Sequence, residues 1–82
     1  MRPVSLFWLL YKVNGRPRVV IQPGSSIIHA RLKATMADLA DDHTFAEGHE
    51  LDPKTSRKVP KEAIGRRMSQ DEAVELLDHL AA

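Results

Sequence analysis

Val4-Ser5-Leu6-Phe7-Trp8-Leu9-Leu10-Tyr11-Lys12-Val13 is followed by Asn14-Gly15, and then by Arg16-Pro17-Arg18-Val19-Val20-Ile21-Gln22. The two outer runs are rich in aromatic and branched side chains, which fit a pleated surface. Asn-Gly between them is the strongest short-range hairpin signal, because both central positions of a type I′ turn need positive φ. Pro23-Gly24 breaks the return strand. A two-residue loop makes Val13 and Arg16 a hydrogen-bonded pair, so Lys12 faces Pro17 at a non-hydrogen-bonded one. A proline there loses nothing from this ladder and marks strand two as an outer strand at that level. The register continues as Tyr11 with Arg18, Leu10 with Val19, Leu9 with Val20 and Trp8 with Ile21.

Side chains alternate across a sheet. One face carries Leu6, Trp8, Leu10, Val19 and Ile21. It reads as the core face, to be covered by the first helix. The other carries Phe7, Leu9, Tyr11, Val13, Arg16, Arg18, Val20 and Gln22, apolar at one end and basic at the other.

Outward from the hairpin, Ser25 or Ser26 caps a helix expected from Ile27 to about Ala40. Ile28, Leu32, Met36 and Leu39 fall at helical spacing and predict its buried stripe. Residues 41–59 read as a charged loop anchored by Phe45 and Leu51, with room for a short third strand near 44–47 or 49–51. A helical turn at 61–64 is stopped by Gly65. Ser69-Gln70-Asp71-Glu72 is a capping box that opens a helix running to about Leu80. The fold class is therefore α+β: an antiparallel hairpin packed with two main helices, in one small domain spanning 1–82.

The composition is that of an ordinary globular protein, 43% apolar and 28% charged, with net charge +1 and no cysteine. Disulfides, thiolate metal sites and a cysteine nucleophile are excluded. A chain of this size is near the lower limit of independent stability, and such chains often lean on a partner or a second copy. Met1 to Val13 superficially resembles an export signal. Its apolar run, 4–11, is too short to span a bilayer and no cleavage site follows, so no membrane association and a cytoplasmic location are expected.

Charge falls in blocks. Residues 1–37 hold six basic and no acidic side chains, and residues 38–52 hold six acidic and no Lys or Arg. Residues 53–68 are basic again apart from Glu62, and residues 69–82 are acidic. Strong local fields can persist in such a nearly neutral chain.

The histidines and carboxylates at Asp41-Asp42-His43 and His49-Glu50-Leu51-Asp52 match no metal-ligand spacing, and neither a metal nor any other cofactor is expected. Ser25, Ser26 and Ser69 are accounted for by helix capping, and no nucleophile elbow is present. No catalytic residue, and so no enzyme, is expected. Lys54, Arg57, Lys58 and Lys61 form a basic run, with Arg66 and Arg67 beyond it, read first as a flexible solvated loop. The sequence therefore points to a protein-binding or adaptor domain, through a partner or self-association. Its candidate contact residues are Phe7, Leu9, Tyr11, Arg16 and Arg18 on the second sheet face, whose apolar end is either covered as core by the C-terminal helix or covered by another chain. The alternative is a nucleic-acid-binding module, with Arg16 and Arg18 acting beside Lys54, Arg57, Lys58 and Lys61.

Overall fold

The hairpin forms in the register that its turn dictates. In the computed structural model, which describes residues 4–81, β1 (Ser5–Val13) and β2 (Arg16–Gly24) pair from Val13↔Arg16 to Ser5↔Gly24. The turn residues take the required conformation, with φ of 54° at Asn14 and 77° at Gly15.

Two further strands extend this pair to a four-stranded antiparallel sheet of order β3-β1-β2-β4. β3 (Phe45–Glu50) adds to β1, and β4 (Arg67–Ser69) adds to β2. β3 lies within the region where a short strand was allowed for. β4 was not anticipated, because three residues carry too little alternation to read. Its pairing reaches only Arg18, Val19 and Val20, so β2 has no neighbour on that side at Pro17.

Helices cover both faces. α1 (Ile27–Met36) lies over Phe7, Leu9, Tyr11 and Val20, and buries Ala30 and Ala34 against them. α3 (Gln70–Ala81) and the segment before β4 cover Trp8, Leu10, Val19 and Ile21, with Leu51, Val59, Ala63, Met68 and Ala73 completing that core. The expectation that helix one would cover the Trp8 face is thus corrected. β2 and β3 both run antiparallel to β1, so they are parallel to each other, and α1 is the crossover between them. Such crossovers are right-handed in nearly all proteins. In this register, with Val13 and Arg16 hydrogen-bonded, the right-handed path passes over the Phe7/Leu9/Tyr11 face. The sense of the crossover, not the apolar content of the face, decides which side the helix takes.

Close approach does the rest. A Cβ at Gly24 would lie 2.9 Å from the Ala30 nitrogen, and one at Gly48 would lie 2.9 Å from the Trp8 carbonyl oxygen and 3.0 Å from Ile27 Cδ1. α1 therefore sits on the sheet through small side chains. It also ends at Met36, short of the expected Ala40. Asp38 turns into the left-handed region with φ 59°, and the Leu39 amide donates to the Ala34 carbonyl.

The basic run expected as a loop contains a helix, α2 (Pro53–Lys58), started by the Asp52 side chain and by proline at its first position. The turn Lys61–Ala63 and the Ser69 cap appear as read, with the Glu72 amide donating to Ser69 Oγ at 3.2 Å. The Glu72 carboxylate, expected to reach back to the cap, instead meets Arg66, so only the serine half of the box is formed. No helix among the described residues is long and apolar enough to cross a membrane.

Candidate contact surface on helix α1

α1 is built inside out relative to an ordinary surface helix. Its buried side is small: Ala30 and Ala34 are fully buried. Its outer side is large and apolar: Ile28 is 73% exposed, Leu32 55% and Met36 77%. These three were expected to form the buried stripe. The helical period is as read, but the stripe points away from the protein. The reason is the sheet beneath, which already carries Leu9, Tyr11 and Val20 with no exposed area. Alanines let the helix backbone come down onto such a face, and a leucine ridge would hold it off.

The outward ridge is bordered by structure that holds it in place. At its start, Ser26 Oγ accepts the His29 amide at 3.1 Å, and the Ser25 amide donates to His29 Nδ1 at the same distance. Along one flank, the Arg31 guanidinium makes two hydrogen bonds to the Asp42 carboxylate, of 3.0 and 2.9 Å. The same guanidinium lies 3.9 Å from the centre of the Phe45 ring, which meets Tyr11 edge-on. A groove of about 510 Å³ runs beside the ridge, lined by Ile28, Arg31, Leu32, Thr35 and Asp42. The α1 residues exposed to solvent are Ile28, His29, Leu32, Thr35 and Met36, with half-buried Arg31 and Lys33 on the two flanks of the ridge.

The residues singled out from the sequence are distributed differently. Phe7, Leu9 and Tyr11 are 4%, 0% and 0% exposed, packed under α1 within one chain. As an exposed contact surface they are corrected: they are core. Burial also pushes the Tyr11 hydroxyl above its usual pKa, with a further push from Asp42. Arg16 and Arg18 lie beyond that core on the same face, where Arg67 joins them because it pairs with Val20 across β2 and β4. The three arginines line one depression with Val13 and Asn14, and none is in an ion pair among the described residues. Lys54, Arg57 and Lys58 are carried on α2, which is followed by Val59 in the opposite core, and Lys58 Nζ donates to the Leu80 carbonyl. Lys61 is exposed in the turn after it. The basic segment and the sheet arginines therefore belong to opposite sides of the sheet, and only Arg67 bridges them in sequence.

The acidic loop resolves into local structure. Asp41 Oδ1 accepts from the His43 amide, holding Asp41 below the usual carboxylate range, and the same oxygen meets His43 Nδ1 at 2.9 Å, raising the imidazole. His49 stacks on Trp8 across β1 and β3, with ring centres 6.1 Å apart. Among the described residues, no group of three or more His, Asp or Glu side chains is placed to hold a metal ion.

Comparison with protein-family models, with curated proteins and with solved structures gives no match. The surface itself is what bears on function.

The outward exposure of Ile28, Leu32 and Met36 was missed because periodicity reports a stripe without reporting which way it faces. The signal was present in the alanines at 30 and 34, on the other side of the same helix, and in the glycines that receive them.

Proposed function

We propose that this chain is a non-catalytic protein-binding domain whose contact face is the outer ridge of α1. One observation carries the reading: three large apolar side chains stand in line on the outside of a helix whose fully buried side chains are alanines. Leaving such side chains in water forfeits roughly 1.5–3 kcal/mol each relative to burial. Contiguous apolar surface of this kind, rimmed by polar groups, is characteristic of interaction sites. The fixed Arg31–Asp42 pair supports the same reading, since it provides an ordered polar rim at no further ordering cost. A photo-activatable residue at position 32 should label a protein in the cell that expresses the chain, and one at Glu62 should not. Absence of any adduct from positions 28, 32 and 36 would remove this reading.

A second reading has its own observation. Arg16, Arg18 and Arg67 line a depression that contains no acidic side chain. Such a cluster suits a phosphate backbone, and single-stranded nucleic acid is its natural ligand class. Affinity for single-stranded RNA should then fall steeply with salt and drop on Arg67→Ala. Salt-independent or undetectable binding would exclude it.

A further inference from the structure

The β3 end of the four-stranded sheet is a second surface, independent of the α1 ridge. We infer that β3 takes up an extended basic segment of a partner protein as a further strand, held by the outward backbone groups of Gly48 and Glu50, with Glu47 and Glu50 facing its cations.

The register settles which backbone groups are free. Val13 and Arg16 are a hydrogen-bonded pair, so the odd-numbered residues of β1 bond to β2 and the even-numbered ones to β3. The Leu51 amide, donating to the Leu6 carbonyl at 2.9 Å, follows that rule just past the end of β3. Leu10 and Trp8 stand opposite Glu47 and His49, so these two residues of β3 spend their amides and carbonyls on β1. Gly48 and Glu50 alternate with them and turn theirs outward. β3 is an end strand of the sheet, and outside the ladder neither residue takes part in a backbone hydrogen bond among the described residues. Sheet edges are usually blunted by short length, by lysine or proline, or by a bulge. The opposite edge, β4, is three residues long. β3 has six and contains no lysine or proline. Its register shift lies at one end, opposite Leu10 and Tyr11, and the pairing from Glu47 to Glu50 is regular. An open edge of this kind accepts an extended segment through main-chain hydrogen bonds.

Charge names the occupant. Glu47 and Glu50 are exposed, and neither is in an ion pair among the described residues. Lys12 shares a sheet face with Glu47 but belongs to β1, one strand inside the edge. Two copies meeting edge to edge would bring both sets of carboxylates together, with no Lys or Arg in either strand. Like charges across a strand pair are destabilising and opposite charges stabilising, so the edge favours a basic strand over its own copy. The spacing adds a pattern. Glu50 stands opposite Phe7, on the α1 face, and Glu47 opposite Leu10, on the other. A strand that answers both carries its cations three residues apart, one on each face of the sheet.

The probe is a short peptide of alternating threonine and valine carrying two lysines three residues apart, titrated into the full chain to about 1 mM and followed by NMR. Amide shifts should move and saturate at residues 46–50. The same peptide with glutamates for lysines should bind at least about tenfold more weakly. Only every second amide of an added strand faces its neighbour. N-methylation of one alternate set of peptide amides should therefore abolish binding, and methylation of the other set should leave it. On the chain, Glu50→Gln removes a charge alone and should weaken binding about threefold. Glu50→Pro also removes an outward N–H without taking a bond from the ladder to β1, and should weaken it at least about tenfold. The methylation pair uses the wild-type chain, so it decides the matter even if the proline variant fails to fold. No binding at about 1 mM, equal binding of the lysine and glutamate peptides, or equal effects of the two methylation patterns would overturn the inference. So would a wild-type dimer in sedimentation that Glu50→Pro abolishes, since the edge would then belong to a second copy. The photoprobe at position 32 tests the α1 ridge separately, and neither result depends on the other.

Discussion

Gly48 and the Asp41–His43 pair show how much single residues decide. Gly48→Ala drives a methyl onto the Trp8 carbonyl, a backbone atom that cannot step aside without moving β1. The expected cost is about 1–3 kcal/mol, as for other overpacking changes, read as a fall in the urea midpoint. Gly15→Val should cost around 1 kcal/mol or more for a different reason: there is open space around it, but its φ of 77° resists a branched side chain. The hairpin cost was legible in the sequence, since Asn-Gly announces it. The Gly48 cost was not, because it depends on a strand pairing that only the fold reveals. At the exposed turn, His43 should titrate above its ordinary 6.5 in an NMR experiment, and Asp41→Asn should bring it back down. The signs give a window. Asp41, lowered, contributes above its ordinary 3.8 and loses that contribution as pH falls through its folded value. His43, raised, contributes below 6.5 and loses it as pH rises through its folded value. The turn is thus tightest from about pH 4 to 6.5, by a small margin because both groups face solvent.

α1 is the element where sequence and structure part. The helix, its serine cap at 25 or 26 and its period were readable, and its orientation was not. Periodicity gives the direction of an apolar stripe around the helix axis; burial is set by which face the crossover presents to the sheet. The register of β1 and β2 was legible to the residue because a turn fixes it locally. The pairing of β3 with β1, which makes β2–α1–β3 a crossover, is a long-range fact that no local pattern records. Ala34→Leu should therefore destabilise by about 1–3 kcal/mol, since it lifts the helix from Leu9, Tyr11 and Val20. Leu32→Ala should change stability by no more than about 0.5 kcal/mol, as at other surface sites. α3 behaves as its capping residue foretold, and Ser69→Ala should lower the thermal midpoint through a loss of about 1 kcal/mol. α2 was hidden by its charge: Asp52 and Pro53 are sound helix-start signals, but the lysines and arginines after them drew the reading of a loop.

At the scale of the whole molecule, the sheet is a two-sided partition with two unlike coatings. One side is covered by α3 and the chain around α2, with Trp8, Ile21 and Met68 beneath. The other is covered by one ten-residue helix whose own apolar surplus faces out. Phe7, Leu9 and Tyr11 stood out in the sequence because, with helix one assigned to the other face, only the C-terminal helix or another chain was left to cover them. The covering helix solved that problem and created another one layer further out, so the exposed apolar surface lies on the helix and not on the sheet. The proposed contact face exists only if α1 lies on its alanines. Urea unfolding of Leu32→Asp and Ala34→Asp tests that orientation directly. Leu32→Asp should unfold close to the wild-type midpoint, and Ala34→Asp, a charge placed between α1 and the sheet, should abolish the cooperative transition or shift it by several kcal/mol. A tolerated Ala34→Asp beside a collapsed Leu32→Asp would mean that the stripe faces inward and the account is wrong.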